Sequence, residues 1–245
     1  MKWSCTDVSG QRAPELRAAL ESWPRQELLV ETPTVRVERR LAPDGESYAV
    51  KRYAFPRLVR RLEAAFRHTW LAVPKARAEM RALAQLRALG VPVVEPVGCG
   101  VRRDRAGFVR DSFLITRWWP HLDLDRLLST AGPPSPEAWR ALGLSIAVMH
   151  VRGVRHGGLA ARNVLVGREE SGAWRVRWLD PARARFRGRP LTRAEAERDL
   201  DELRPTLDAA PEEARAAFEE GYCSPSFWSP ATKAGSTSSE SPTTP

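Results

Sequence analysis

The segment from His156 to Asp180 constrains the fold of this chain more than any other part of the sequence. It begins with HGGLAARN and continues as NVLVGREESGAWRVRWLD, with apolar residues on both sides of a turn at Gly172. This pattern predicts a β-hairpin. Asn163 stands at its start and Asp180 at its end, and amide and carboxylate oxygens are ligands that Mg²⁺ accepts. The alternative is that Asn163 is an ordinary turn residue.

Two charged residues precede this segment in an ordered layout. Lys51 lies in SYAVKRY, which is predicted to pair with the strand TVRVERR (34–40). Glu79 lies on the helix KARAEMRALAQLRALG, which follows Pro74 and ends at Gly90. Lys51 alone is most simply a solvated strand residue, and Glu79 a charge on a helix surface. Together with Asn163 and Asp180 they follow the order of parts in a phosphoryl-transfer site, where a lysine contacts phosphates and an acid holds that lysine.

The other segments complete an α+β layout. A further helical stretch is predicted from Phe55 to Pro74. Strands are predicted in GVPVVEPVGCGVRR and AGFVRDSFLITRWW, and helices in PHLDLDRLL, PSPEAWRALGLSIAVMH, 193–207 and 211–222. We therefore predict an antiparallel sheet with one key helix, followed by a mainly helical second part.

The loop HGGLAARNVLV resembles the catalytic loop HRDLAARNVLV of tyrosine kinases, with two substitutions. The remainder is more similar to the lipopolysaccharide core kinases, the bacterial Kdo and heptose kinases of the protein-kinase-like superfamily. WLDPARARFRGRPLTRAEAERDLDELRPTL resembles their Leu-Asp metal site, Arg-rich stretch and Arg-Asp-Leu helix, and FLITRWWPHLDLDRLL resembles their hinge. The resemblance covers about residues 35–222 and implies a two-lobed kinase-like fold.

The same resemblance implies a nucleotide site for ATP. Lys51 would contact the phosphates and Glu79 would pair with it. The backbones of Arg117 and Trp119 would contact the adenine, and Asp123 the ribose.

The resemblance also implies a metal site, in which Asn163 and Asp180 would bind Mg²⁺. We expect the turn at Asp44 and Gly45 to occupy the place of the loop that covers the phosphates.

Gly158 is the important departure from this family. The matching residue there is the aspartate that accepts the proton of the acceptor hydroxyl, and residues 138–168 contain no Asp or Glu that could replace it. His156 is expected to pack under the loop rather than act as a base. Loss of a general base costs about 10² to 10⁴ in rate. Gly157 also replaces an arginine, so we expect no switch through a phosphorylated activation segment.

The net charge of +9 indicates an anionic partner. Only four of the 39 basic residues are lysines, and the rest are arginines. Codon usage explains such a preference for arginine, but it makes a lysine within a strand, such as Lys51, unusual. Arginines cluster just after Asp180, where we expect an anionic acceptor such as a core sugar, or contact with the anionic inner membrane; the alternative is a solvated face. These arginines are Arg183, Arg185, Arg187 and Arg189.

The composition excludes several other classes. Three widely spaced cysteines provide neither a disulfide framework nor a metal pair. No apolar run reaches the length of a membrane span, and the N-terminus has no signal-peptide pattern, so we expect a cytoplasmic protein that is at most peripheral to the membrane. No zinc-finger or RNP-type motif supports nucleic acid as the partner.

We predict four regions: an N-terminal extension (1–30), an N-terminal lobe (31–116), a C-terminal lobe (117–225) and a disordered Ser/Thr/Pro-rich tail (226–245). The predicted function is transfer of the ATP γ-phosphate to a sugar hydroxyl of lipopolysaccharide. One alternative is a pseudokinase that binds nucleotide and acts as a regulator or scaffold. The second alternative is a basic nucleic-acid-binding module.

Overall fold

The computed structural model describes residues 2–54, 73–105 and 107–223. The helical stretch predicted after Phe55 and the tail 226–245 lie outside these residues. The described part begins with a six-stranded antiparallel sheet of spatial order β1-β5-β6-β4-β3-β2. Its strands are β1 (Lys2–Asp7), β2 (Arg25–Glu31), β3 (Val35–Leu41), β4 (Ser47–Ala54), β5 (Pro96–Arg103) and β6 (Val109–Arg117).

The two faces of this sheet pack against different helices because side chains alternate along each strand. Helix α1 (Glu15–Ser22) covers one face, where Tyr48 and Val50 of β4 enter a small apolar cluster. Helix α2 (Lys75–Ala88) covers the other face, towards which Lys51 and Tyr53 project. We call these the outer and the inner face.

The sheet also contains the residues that the sequence analysis set apart as an N-terminal extension. Lys2 to Asp7 pair with β5 in the register Lys2↔Arg103. Arg25 to Glu31 pair with β3 in a register that shifts twice. The sheet lobe therefore extends from β1 to β6.

The second lobe is mainly helical. Its helices are α3 (Leu124–Thr130), α4 (Pro136–Val151), α5 (Arg193–Leu200), α6 (Arg204–Asp208) and α7 (Glu212–Tyr222). Its strands form two small sheets: β9 (Val164–Arg168) with β10 (Trp174–Trp178) and β7 (Leu122–Asp123), and β8 (Val154–Arg155) with β11 (Arg185–Phe186). The predicted hairpin and the alternation of strands and helices are confirmed.

One apolar core runs through both lobes. It extends from Tyr53 and Met80 under the sheet to Ile146 and Trp178 in the helical lobe. The indole of Trp178 donates a 2.7 Å hydrogen bond to Ser145, and its strand forms a bridge to Val93 near the sheet lobe. Continuous packing therefore joins the lobes on one side. No helix in the described ranges has the length and apolar character needed to cross a lipid bilayer.

Helices α4 and α7 approach each other so closely that glycine is required at their contact. A Cβ atom at Gly143 would lie 2.2 Å from the carbonyl oxygen of Phe218. A Cβ atom at Gly221 would lie 2.2 Å from the carbonyl oxygen of Arg140. Both obstacles are backbone atoms, which cannot move away without separating the helices.

We expect Gly143→Ala to destabilise the protein. Alanine is the better helix former by about 1 kcal/mol, but a forced shift of two helices costs about 1 to 3 kcal/mol. We therefore expect a net loss of up to about 2 kcal/mol in the free energy of unfolding, measured by urea denaturation. Leu144→Ala, at the neighbouring half-exposed position, is the control and should change stability by less than about 1 kcal/mol. Equal losses for both variants would contradict the close packing.

Candidate active site

A cavity of about 660 Å³ lies between the sheet lobe and the helical lobe. Strands β2, β3 and β4 line its upper side, and the segment after β6 lines its rear edge. The start of α3 and the two ends of the β9–β10 hairpin line the lower side. The four residues that the sequence analysis brought together as a phosphoryl-transfer site all face it: Lys51, Glu79, Asn163 and Asp180.

Lys51 is the centre of the charged part of this cavity. Its Nζ atom lies 3.0 and 3.2 Å from the two oxygens of Glu79. The same Nζ lies 3.2 Å from Oδ1 of Asp180. The hydroxyl of Tyr53 donates a further hydrogen bond to the Glu79 carboxylate. A strand, a helix and the end of a hairpin thus meet at one ammonium group.

Burial and charge act in opposite directions on this cluster. Burial favours the neutral amine of Lys51, but the adjacent carboxylates of Glu79 and Asp180 prevail and raise its pKa. Burial raises the pKa of Glu79, and the charge of Asp180 adds to this effect against the opposing charge of Lys51. The ammonium is therefore firmly charged, whereas the charged form of Glu79 is opposed by burial and Asp180 and favoured by Lys51 and Tyr53.

The hairpin brings Asn163 and Asp180 together, as the sequence pattern predicted. The backbone N–H of Leu179 donates to the carbonyl of Asn163 at 2.8 Å, which closes the open end of the hairpin. Asp180 follows with φ of 48°, the one positive φ at a non-glycine residue in the described chain. This left-handed conformation is costly for aspartate, and such strain concentrates at functional sites.

The donor groups at this point fit a magnesium ion. The amide nitrogen of Asn163 donates to the carbonyl of Gly158 at 3.0 Å, which leaves its amide oxygen as the coordinating atom. Oδ1 of Asp180 is buried and has only the Lys51 ion pair. Mg²⁺ is usually held by one or two such oxygen groups together with substrate phosphates. Within the described ranges no cluster of three or more His, Cys, Asp or Glu side chains offers a metal site made by protein alone.

The residues that were predicted to contact the nucleoside also line this cavity, but some of their hydrogen-bonding groups already have partners. The backbone N–H of Arg117 donates to the carbonyl of Glu95 at 2.8 Å, so this N–H is already occupied. Trp119 is buried beneath the guanidinium of Arg177, whose Cζ lies 4.7 Å from the ring centroid. Asp123 caps α3 by accepting from the N–H of Arg126 at 2.9 Å.

Arg126 also connects the two lobes across the cavity mouth. Its guanidinium donates a 2.9 Å hydrogen bond to the carbonyl of Leu29 on β2. Both residues line the cavity, and the Arg126 side chain is half exposed. We call the part of the cavity that this contact spans its front.

The expected position of the phosphate-covering turn does not agree with the strand register. Lys51 pairs with Val37 on β3, and Ser47 pairs with Leu41 at the far end of the two strands. The turn at Asp44 and Gly45 therefore lies beyond Ser47, away from the Lys51 end of the strands. The turn near Lys51 is Thr32 to Thr34, which joins β2 to β3 and contains no glycine.

The loop around Gly158 has room for a larger residue. A Cβ atom there would lie 3.6 Å from Asn163 and 3.7 Å from His156, which are ordinary contacts. Gly157 differs, because its φ is 71° and a Cβ atom would meet the Arg183 carbonyl at 2.9 Å. His156 is fully buried, its Nε2 donates to the Leu179 carbonyl at 3.1 Å, and burial lowers its pKa, so it packs under the loop as expected.

Asp199 is a structural residue of the site that the sequence analysis did not assign. Its buried carboxylate accepts from the N–H of His156 at 2.7 Å and of Gly157 at 2.8 Å. His150 lies 3.2 Å from the same carboxylate. These hydrogen bonds lower the pKa of Asp199 despite the opposing effect of burial. The sequence offered one signal for this role: Asp199 lies three residues after Ala196, on the same face of α5.

The Arg-rich segment lies on the surface beside the catalytic loop and does not line the cavity. Arg187 and Arg189 share Glu195 at 3.5 and 2.9 Å. Arg183 and Arg185 are exposed and have no ion pair within the described chain. The backbone of Arg183 packs against Gly157, which places this arginine beside the loop that contains Gly158.

The chain matches the model of the lipopolysaccharide kinase (Kdo/WaaP) family over residues 21–222. It is 34% identical over 102 residues to the 3-deoxy-D-manno-octulosonic acid kinase of Actinobacillus succinogenes, covering 41% of this chain and 42% of that protein. It is 29% identical over 108 residues to the same kinase of Haemophilus influenzae, covering 44% of each chain. The alignments thus span about two fifths of these relatives. The resemblance to lipopolysaccharide core kinases is confirmed.

Solved structures confirm the kinase-like fold. A structure of WaaP in complex with acyl carrier protein is similar with a TM-score of 0.56 and 22% identity, covering 91% of this chain and 89% of that one. The Rio2 kinase of Chaetomium thermophilum, in an ADP/Mg²⁺-phosphoaspartate complex, is similar with a TM-score of 0.54 and 14% identity, covering 85% and 65%. At these identities the likeness concerns the fold alone.

We expect Asp199→Asn to destabilise the protein at neutral pH by about 2 to 3 kcal/mol, because hydrogen bonds to a charged group are lost. The folded-state pKa of Asp199 lies below its unfolded value, so its contribution is complete above about pH 4 and is lost as the pH falls further. The difference between wild type and variant, measured by urea denaturation from pH 3 to 7, should therefore shrink in acid. Asp208→Asn, at an exposed position, is the control. A difference that is constant with pH would contradict this role of the carboxylate.

Proposed function

Because the chain belongs to the lipopolysaccharide kinase (Kdo/WaaP) family, we propose that it binds magnesium-ATP between its lobes and transfers the γ-phosphate to a sugar hydroxyl of the lipopolysaccharide core, on Kdo or heptose. The observation that carries this proposal is the convergence of Lys51, Glu79 and Asp180 within 3.2 Å contacts in a cavity that Asn163 also lines. A separate strand, helix and hairpin supply these groups.

The residues divide the work of phosphoryl transfer among them. Lys51 binds phosphate oxygens, while Glu79 keeps the ammonium in place from the side of α2. Asn163 and Asp180 would hold the metal through their side-chain oxygens, and the metal when bound would supply positive charge against the phosphates. Until then the Asp180 carboxylate pairs with Lys51. The carbonyl of Arg117 and the backbone of Trp119 bind the adenine, and Asp123 faces the ribose.

The acceptor approaches from the side of the Arg-rich segment. Arg183 and Arg185 have no carboxylate partner in the described chain, whereas Arg187 and Arg189 share Glu195. We therefore assign contact with an anionic core sugar mainly to the first two arginines, since guanidinium groups bind carboxylate and phosphate in a bidentate manner. Contact of the same segment with the anionic inner membrane stays a prediction.

Gly158 supports a second candidate function, that of a pseudokinase which binds nucleotide and acts as a regulator or scaffold. No side chain at this position can accept the proton of the acceptor hydroxyl. Transfer in this family depends mainly on positioning and electrostatics, so we expect the wild-type protein to be a slow kinase. The two candidates share the nucleotide site and differ only in whether phosphate is transferred.

We expect magnesium-ATP to stabilise the wild-type protein. A ligand at about 100 times its dissociation constant contributes about 2.7 kcal/mol, which corresponds to about 5 to 10 °C in Tm for a chain of this size. Lys51→Ala should remove most of the shift. Asp180→Ala should remove the difference between ATP with and without magnesium. Asp208→Ala, which changes an exposed aspartate outside the cavity, is the control.

Absence of any shift in the wild-type protein would overturn both nucleotide-binding functions. If the protein instead bound nucleic acid in a steeply salt-dependent manner that ATP did not change, the basic nucleic-acid-binding module would be favoured.

We expect Gly158→Asp to raise ATP-dependent phosphate transfer to a Kdo-containing lipid A acceptor by about 10² or more, the usual contribution of a general base. The backbone accepts the new side chain, because a Cβ atom at this position makes only ordinary contacts. Gly158→Asn is the matched control, since it adds a side chain of the same size that cannot accept a proton. Retained magnesium-ATP binding without any transfer by Gly158→Asp would favour the pseudokinase.

A further inference from the structure

Tyr53 is a buried residue that the mechanism above does not use. It lies two positions after Lys51 on β4, so both side chains project from the inner face of the sheet. Its side chain is 1% exposed, and its hydroxyl donates to the carboxylate of Glu79. The Nζ atom of Lys75, the first residue of α2, lies 5.0 Å from the centroid of the same ring. Tyr53 therefore contacts α2 at two points, one turn apart.

The Glu79 carboxylate depends on such a fixed partner. Glu79 is 3% exposed, and a buried carboxylate without partners is costly. Its other partner, Lys51, is shared with Asp180 at 3.2 Å and, in the proposed function, with the phosphates of the nucleotide. The hydroxyl of Tyr53 is the partner of Glu79 that neither Asp180 nor, in the proposed function, the nucleotide shares.

We propose that Tyr53 is a positioning residue of the nucleotide site: its hydroxyl holds the Glu79 carboxylate against Lys51 and so places the ammonium for the phosphates. This inference rests on the proposed function for its consequence in nucleotide binding. Its structural part, the placement of Glu79 against Lys51, is independent of any ligand. Lys75 supports it by keeping the Tyr53 ring against the start of α2.

Tyr48 provides a matched comparison on the same strand. It is also buried, at 9% exposure, but it projects from the outer face and stacks on Trp23 at 4.8 Å between ring centroids. Removal of its hydroxyl changes the same chemical group in the same strand without touching Glu79. A general effect of losing a buried tyrosine hydroxyl should therefore appear in both variants.

The first measurement is the dissociation constant of magnesium-ATP by isothermal titration. Tyr53→Phe should weaken binding about tenfold, the value of a hydrogen bond to a charged group, and Tyr48→Phe by less than twofold. In a Glu79→Gln background, Tyr53→Phe should add less than twofold, because its partner is already altered. Equal effects of Tyr53→Phe in both backgrounds, or an equal effect of Tyr48→Phe, would overturn the proposal.

The second measurement needs no nucleotide. Acetic anhydride acetylates accessible lysines, and the chain has only four lysines, so labelling of Lys51 relative to Lys233 can be followed by mass spectrometry. Loss of the hydrogen bond from Tyr53 loosens Glu79 and opens the cluster around Lys51 more often, so Tyr53→Phe should raise labelling of Lys51 about fivefold and Tyr48→Phe should not. Unchanged labelling in Tyr53→Phe would overturn the positioning role. Increased labelling in a protein that does not bind magnesium-ATP would overturn the proposed function and leave the positioning of Glu79 standing.

Discussion

The ion pairs of Lys51 organise this molecule. One ammonium group lies within 3.2 Å of carboxylates from α2 and from the end of the β9–β10 hairpin. The strand that carries it is central in the sheet, the helix packs on the inner face, and the hairpin belongs to the other lobe. A single positive charge therefore links the sheet, its inner helix and the other lobe, in addition to the apolar core that the two lobes share.

A further carboxylate, that of Asp199, supports this arrangement from outside the cavity. Asp199 is buried and holds the backbone of the loop that precedes Asn163. The hairpin closes directly after this loop through the hydrogen bond between Leu179 and Asn163. The left-handed Asp180 is thus held between a fixed loop and the charge of Lys51. Stable packing and hydrogen bonds outside the cavity maintain a strained residue within it.

Local sequence patterns were sufficient to predict the hairpin and the four charged or amide residues that meet in the cavity. Asn163 and Asp180 were predictable because a hairpin brings its own ends together. Lys51 and Glu79 were predictable because each lies in a regular element and the order of the four residues is characteristic. Contacts between residues far apart in the sequence were not accessible in this way. The pairing of Lys2 with Arg103 and the contact of Asp199 with the loop 43 residues earlier leave no local pattern. In the sequence, Tyr53 looks like any core residue of a strand. The turn at Asp44 and Gly45 was predicted to cover the phosphates because glycine marks turns, but the strand register favours the turn at Thr32.

The hydrogen bond between Arg126 and Leu29 has a kinetic consequence. On one side the lobes share a continuous apolar core, whereas at the front of the cavity this half-exposed contact spans them. Separation of the lobes at the front would break this solvent-accessible hydrogen bond and the ion pair between Lys51 and Asp180, two polar contacts outside the shared apolar core. In the proposed function, the residence time of the nucleotide would therefore depend on its own contacts and on these two bridges, rather than on the global stability of the chain.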